Sequence, residues 1–166
     1  VQQQKIDRIQ QAWIESYAAR GRCLHVGCGE RPISGAVNID PNPDRARWRD
    51  EDWDVHALPC PDGSFDVVVS SHVLQSVDDV DLAMREMARV LRPGGLMAHV
   101  IPDHRVAPLR CDPRFPFQVC RYEWRGPETF RPVLDRLAGV LAVATLENFA
   151  EFDWSFKAVA TKVIRL

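Results

Sequence analysis

Apolar residues recur at helical spacing near the start of the chain. Ile6, Ile9, Trp13, Ile14 and Tyr17 form one stripe over residues 2–19, with Gln, Lys, Asp and Arg opposite and Gly21 as the stop. Short apolar runs follow at 22–26 and 36–39, each ending in chemistry-bearing residues, Gly27-Cys28-Gly29 and Asp40. A third short strand fits at 54–57, ahead of a turn at 59–63, and the β-branched run at 65–70 reads as a strand buried on both faces. Residues 80–91 are amphipathic and read as a helix, capped by Asp78 or Asp79 and stopped by Pro93-Gly94-Gly95. A buried strand at 96–101 precedes an irregular stretch, 102–126. A helical segment at 127–138 contains Pro132, a potential kink, and two strands at 140–148 and 155–164 close the chain. Strands alternating with helices predict an α/β, three-layer Rossmann-like sandwich, its sheet mainly parallel with an antiparallel edge strand.

Composition narrows the class. The 166 residues carry 21 Lys+Arg against 23 Asp+Glu, a net charge of −2, and 46% are hydrophobic. That profile suits one soluble domain over 1–166, made of an N-terminal helix at 1–20, a sheet, and a lid loop at 102–126. Near-neutral charge argues against a nucleic-acid partner held by phosphate attraction. Without an apolar run of ~18 residues or a signal-like start, no membrane segment is expected and the cytoplasm is the default. Because the chain starts at Val1, a leader, a tag or a few residues are expected to be absent from it. Five cysteines without a C-x-x-C pair indicate neither a disulfide framework nor a metal site.

In an open α/β sheet, ligands bind beyond the carboxyl ends of the strands, so residues just after each strand are informative. Gly27 and Gly29 allow close backbone approach, although a tight turn explains them equally. The third glycine of a dinucleotide fingerprint is replaced by Pro32, which disfavours a nicotinamide cofactor. Asp40, followed by Pro41, offers two oxygens to a ribose, or is a strand-end turn residue. Asp54-Val55-His56 could face an adenine edge or be a solvated loop. Ser70, Ser71 and His72 sit before a helix, where small hydroxyls are often caps.

Taken in order, His25-Val-Gly-Cys-Gly-Glu30, Val37-Asn-Ile-Asp40, Asp54-Val-His-Ala-Leu-Pro59, Pro61-Asp-Gly-Ser-Phe-Asp-Val-Val-Val-Ser70, His72-Val-Leu74 and Val90-Leu-Arg-Pro-Gly-Gly95 resemble class I S-adenosylmethionine-dependent methyltransferases, nearest the type 11 small-molecule group. The resemblance covers residues 22–103 in detail. It implies that Gly27, Cys28 and Gly29 line the methionine moiety of S-adenosyl-L-methionine, that Asp40 beside Pro41 holds the ribose, and that Asp54, Val55 and His56 face the adenine. Ser70, Ser71 and His72 would flank the methionine end. This cofactor has no pyrophosphate, so the missing third glycine is no obstacle.

Two departures stand out. Only residues 30–35 separate the glycine loop from the second strand, so the first crossover helix is expected to be shortened to a turn or a single helical turn. Where many relatives continue with Glu-His, this chain has Gln75-Ser76. On the acceptor side, methyl transfer needs proximity, orientation and, for a protic acceptor, a base. His104 is the candidate base, with Asp103 orienting it or acting itself; His72 is a second candidate, and His25 and His99 lie inside strands as core histidines. The loop 102–126 carries Arg105, Arg110, Arg114, Arg121 and Arg125 among Asp103, Asp112, Glu123, Phe115, Phe117, Tyr122 and Trp124. That mixture suits a lid for an anionic or aromatic small molecule, or a solvated loop anchored by its rings. The expected activity is methyl transfer to oxygen or nitrogen of such an acceptor. The alternative is a non-catalytic cofactor-binding or partner-binding module of the same fold.

Overall fold

The computed structural model describes residues 2–106, 120–150 and 155–164. Its elements are α1 (Gln2–Ala18), β1 (Cys23–Val26), β2 (Val37–Ile39), β3 (Phe65–Ser71), α2 (Val80–Val90), β4 (Leu91–Pro102), α3 (Pro127–Asp135), β5 (Leu141–Asn148) and β6 (Ser155–Lys162). The strands form one sheet in the order β2-β1-β3-β4-β6-β5. Neighbours from β2 to β4 are parallel, and β6 runs antiparallel to both β4 and β5. The antiparallel strand therefore sits one place in from the edge. Among the described residues, no helix is long and apolar enough to cross a membrane.

Burial explains the layers. On one face Val67, Val69, Ala98 and Val100 meet Ile14 and Ala18 of α1. On the other, Leu24, Val26, Val68, Met97 and Ile101 meet Met84 and Met87 of α2 and Phe130, Val133 and Leu134 of α3. Met84 and Met87 are fully buried, worth about 1.5–3 kcal/mol each against an exposed reference. The Asp79 carboxylate caps α2, accepting from the backbone N–H groups of Asp81 and Leu82.

Several local expectations change. Residues 54–57 form a turn rather than a strand, because the Asp54 side chain accepts from His56 N at 2.9 Å and the Asp54 carbonyl from Ala57 N at 3.1 Å. The place beside β2 is taken instead by Glu51, which bridges to Ile39. β4 begins at Leu91 rather than 96. Pro93-Gly94-Gly95 bulges where the register passes from Phe65↔Leu91 to Val67↔Leu96, with Gly94 at φ +76°. Helix α3 ends at Asp135 instead of 138 and accommodates Pro132. Gln10, expected on the wet side of α1, is buried.

The first crossover is a loop with no helical turn, and the side chain of Asn38 holds it. Asn38 Nδ2 donates toward the carbonyls of Ile33 and Ala36 and toward Asp50 Oδ2, each at 3.1 Å. Asn38 Oδ1 accepts from Ile33 N at 2.8 Å and faces His25 Nδ1 at 3.0 Å. An oxygen already accepting can only accept again, so His25 carries its proton on Nδ1. Burial keeps that imidazole's pKa below its ordinary value, consistent with a core histidine. One buried amide thus does what a covering helix would do, pinning the short loop to β2 and β1.

Candidate active site

The carboxyl ends of β1 to β4 lie along one edge of the sheet, and antiparallel β6 begins there, with Ser155 paired to Pro102. The glycine loop leaves β1 with Gly27 at φ +66° and Gly29 at φ +55°, and the N–H groups of Gly27 and Cys28 donate to Ile39 O at 2.8 and 3.1 Å. At Gly27 a Cβ would lie 2.3 Å from Val73 Cγ2, so the loop's approach to the end of β3 requires glycine. At Gly29 nothing lies within 4 Å, which leaves room for a ligand.

Asp40 joins this loop directly. Its Oδ2 accepts from Gly29 N at 2.9 Å and its Oδ1 from Asn42 N at 3.0 Å. Each carboxylate oxygen keeps a second lone pair for a hydroxyl. The Arg49 guanidinium donates to the Asp40 carbonyl, and Pro41 continues outward, exposed. Cys28 is a buried thiol whose pKa rises to about 11, first through burial and then through the charges of Asp40 and Asp50. It fills the loop as a protonated group.

Asp54 and His56 are committed to each other. Asp54 Oδ1 lies 2.6 Å from His56 Nδ1, and His56 Nε2 accepts from Asp79 N at 3.1 Å, which fixes the proton on Nδ1. The backbone N–H of His56, first, and then its ring hold the Asp54 carboxyl below its ordinary pKa. Val55 between them is buried against the α2 face. The segment is therefore fastened to the start of α2, with Asp54 still reaching solvent.

The end of β3 separates three neighbours. Ser70 points into the core, its Oγ 2.8 Å from His99 Nδ1, so its side chain is turned away from the edge by the strand's alternation. Ser71 is the half-buried last residue of β3. His72 adopts the left-handed φ of +55°, its N–H donating to Val100 O at 2.9 Å and its carbonyl accepting from Gln75 Nε2 at 2.6 Å. Its Nε2 lies 3.0 Å from Ser155 Oγ, which also accepts from Gln10 Nε2 at 3.0 Å. Burial lowers the His72 pKa to about 4; Asp7 opposes this, while Arg31 and His104 reinforce it.

After β4, the two candidate catalytic residues part company. Asp103 is fully buried and turned to Arg105, whose Nη2 lies 2.6 Å and Nε 3.0 Å from its oxygens. That carboxylate is satisfied by a guanidinium and the Arg105 N–H, so it neither orients His104 nor stands ready as a base. His104 is instead oriented by the Trp124 carbonyl, which accepts from its backbone N at 2.7 Å and from its Nδ1 at 3.1 Å. A carbonyl only accepts, so the neutral ring carries its lone pair on Nε2, without a protein partner among the described residues.

Beyond the loop's start, Tyr122 stacks on Trp124 at 5.5 Å and Trp124 meets Phe130 edge-on at 5.1 Å, anchoring 120–126 in the core. Arg105, Arg121 and Arg125 are paired with Asp103, Asp78 and Glu123. Arg110, Arg114, Phe115, Phe117 and Asp112 lie outside the described residues. The backbone N–H groups of Arg121 and Tyr122 donate to Gln75 O at 2.7 and 3.1 Å, tying the segment to the end of β3. The Gln75 side chain, where many relatives carry Glu, donates instead to the His72 carbonyl. Asp7 pairs with Arg31 at 2.8 Å and holds α1 over the glycine loop. Cavities of about 520 and 320 Å³ lie at the opposite edge, under Gly21 and Gly35 and beside Arg89 and Lys162, away from these groups.

Gln10, Ser155 and Asn38 belong to the site or its support and have no role in the sequence reading, which names Trp124 only among the rings of the loop. Gln10 had a signal, since it lies four residues from both Ile6 and Ile14 and so interrupts the apolar stripe. Ser155 had none, because its partners are remote in sequence.

A methyltransferase-domain family model matches residues 24–99. The ubiquinone/menaquinone biosynthesis C-methyltransferase of Serratia proteamaculans is 32% identical over 119 residues, covering 63% of this chain and 47% of the relative. The protein of the same name from Hahella chejuensis is 62% identical over 39 residues, 24% of this chain and 16% of the relative. The chain thus spans less than half the length of these curated relatives. Among solved structures, a methyltransferase from Thermotoga maritima described as a possible histamine N-methyltransferase aligns with a TM-score of 0.65 at 19% identity, covering 90% of this chain and 87% of that one. The [4+2]-cyclase SpnF aligns with a TM-score of 0.74 at 19% identity, covering 98% and 83%. Both are likenesses of fold.

Proposed function

Because the chain belongs to the class I S-adenosylmethionine-dependent methyltransferases, we propose that it binds S-adenosyl-L-methionine along the β1–β2 edge and methylates a small molecule there. The observation that carries this reading is the Gly29 N–H to Asp40 Oδ2 bond at 2.9 Å, which joins glycine loop and acid into one cradle with open space at Gly29. In this reading Gly27, Cys28 and Gly29 line the methionine moiety, and Asp40 beside Pro41 holds the ribose hydroxyls. Asp54, Val55 and His56 border the adenine; Ser71, His72 and the Ser70 backbone flank the methionine end. The bound cofactor supplies an electrophilic methyl group on sulfur. The chain's own work is to orient both reactants, exclude water and accept a proton.

His104 is the base of this proposal, its Nε2 lone pair set by the Nδ1–H···O=C bond to Trp124. The acceptor is a small anionic or aromatic molecule methylated on oxygen or nitrogen. The curated relatives are named C-methyltransferases, which makes a carbon of the acceptor the competing position. A non-catalytic cofactor-binding or partner-binding role is the second reading, favoured by the thin crossover. The thiols of Cys23, Cys28 and Cys60, none in a disulfide, support work in the reducing cytoplasm.

The test is incubation with methyl-deuterated S-adenosyl-L-methionine and a panel of phenolic, carboxylic and amine acceptors, read by mass spectrometry. A labelled product is expected, with turnover falling about 10²–10⁴-fold in His104→Ala. Undiminished turnover in that variant removes His104. Cofactor binding with no labelled product across the panel supports the non-catalytic reading.

A further inference from the structure

Three polar groups cross the α1–sheet interface in a line, and the bond directions along it can be worked out. Gln10 on α1 and Ser155 at the start of β6 are 4% and 1% exposed, each placed where an apolar residue would seal the interface as well. Gln10 Nε2 donates to Ser155 Oγ at 3.0 Å, and the same Oγ lies 3.0 Å from His72 Nε2. An amide nitrogen has only donors to offer, so it occupies a lone pair of the serine oxygen. The serine oxygen keeps a second lone pair, but among the described residues its single O–H finds an acceptor only in His72 Nε2; satisfying that O–H puts the lone pair on Nε2 and the proton on Nδ1. Among the described residues, Nδ1 has no protein partner. The ring is held in this pose by a left-handed backbone, φ +55°, whose N–H and carbonyl are both bonded, to Val100 and Gln75. Such a conformation is uncommon in a residue with a side chain and clusters at functional sites.

We propose that Gln10 and Ser155 are positioning residues that hold His72 in the neutral Nδ1–H tautomer and present that N–H to a carboxylate oxygen at the amino-acid end of the bound cofactor. The proposal rests on the cofactor reading above for the identity of the ligand, but the tautomer follows from the ligand-free geometry. The charged and titratable groups facing the ring are Asp7 from α1, Arg31 from the glycine loop and His104 from beyond β4. The Arg31 cation and His104 disfavour a second proton on the ring, and Asp7 is already paired with Arg31. The chain Gln10–Ser155–His72 also couples the seating of α1 to the ring's tautomer, since withdrawing α1 removes the donor that fixes the serine's direction.

The experiment uses the whole chain with ¹⁵N-labelled histidine. Imidazole nitrogen shifts are recorded between pH 8 and 5, and S-adenosylhomocysteine affinity is measured calorimetrically, for wild type, Ser155→Ala, Ser155→Thr and Gln10→Met. Wild-type His72 is expected as a single Nδ1–H tautomer. Ser155→Ala is expected to show mixed tautomers, a higher His72 titration point and S-adenosylhomocysteine affinity weakened about five- to tenfold, the size of one neutral hydrogen bond. Ser155→Thr, which restores the hydroxyl, should recover both signals, and Gln10→Met should lie between. A wild-type Nε2–H tautomer, or a Ser155→Ala protein unchanged in both readouts, overturns the positioning role. Should wild type show the Nδ1–H tautomer yet bind no S-adenosylhomocysteine, the cofactor reading fails and the donor role falls with it.

Discussion

Replacing Asn38 by Ala removes the side chain that stands in for a crossover helix. The Ile33 N–H and the His25 Nδ1–H lose their acceptor, and the carbonyls of Ile33 and Ala36 lose a donor. Ile33 and His25 are buried, so their orphaned groups each cost about 1–3 kcal/mol, whereas Ala36 is half-exposed and can turn to water. We expect a total loss of about 3–4 kcal/mol, a large share of the ~5–15 kcal/mol of a typical domain. Urea unfolding followed by tryptophan fluorescence and circular dichroism reads the loss. Asn38→Asp keeps an acceptor for Ile33 but sets a carboxylate against Asp50 and two carbonyls, so it should be at least as damaging at pH 7. Because the glycine loop hangs from this pin, S-adenosylhomocysteine affinity should fall in whatever fraction remains folded. A loss below about 1 kcal/mol with affinity unchanged would refute the view that Asn38 holds the crossover.

Other expectations follow from the same geometry. Burial lowers the pKa of His72 and of His99 to about 4, below the ~6.5 of an unfolded histidine. Their stabilising effect is thus complete above pH ~6.5 and is lost as pH falls from there toward 4, about 2 kcal/mol for each by pH 5. Urea midpoints that stay level between pH 7.5 and 5 would contradict this, and His99→Leu should make the slope shallower, with His72 and His25 supplying what remains. Gly27→Ala places a methyl 2.3 Å from Val73 Cγ2 at φ +66°, which should cost about 2–3 kcal/mol. Adding Val73→Ala should return part of that loss, the backbone share remaining; a double variant no better than the single would show that the clash is not the cause.

The parts legible in sequence were those fixed by local pattern. The buried β3 run, a helix cap at Asp78 or Asp79 and the glycine and aspartate at consecutive strand ends each follow from residue type and period, and the short count between Gly29 and β2 announced the reduced crossover; the structure picks Asp79 as the cap. Long-range pairing decided the rest. Residues 54–57 read as a short strand, but the mutual bond of Asp54 and His56 and the His56–Asp79 contact make a turn, a choice set by α2 far along the chain. Asp103 beside His104 read as a dyad, yet Arg105, equally close in sequence, satisfies the carboxylate while Trp124 takes the imidazole. Two partners competed for each group, and order along the chain does not rank them. Ser70 was placed by proximity to the edge, although strand alternation turns it toward His99.

The central claim is that the glycine loop and Asp40 form one cofactor cradle, and calorimetric titration of the folded chain with S-adenosylhomocysteine tests it most directly. The account predicts one ligand bound per chain, with affinity reduced by about 1–3 kcal/mol in Asp40→Ala, the cost of losing a partner of a buried hydrogen-bonding group. Wild-type protein that is folded by circular dichroism yet releases no heat and shows no binding, or an Asp40→Ala variant that binds as tightly as wild type, would contradict it.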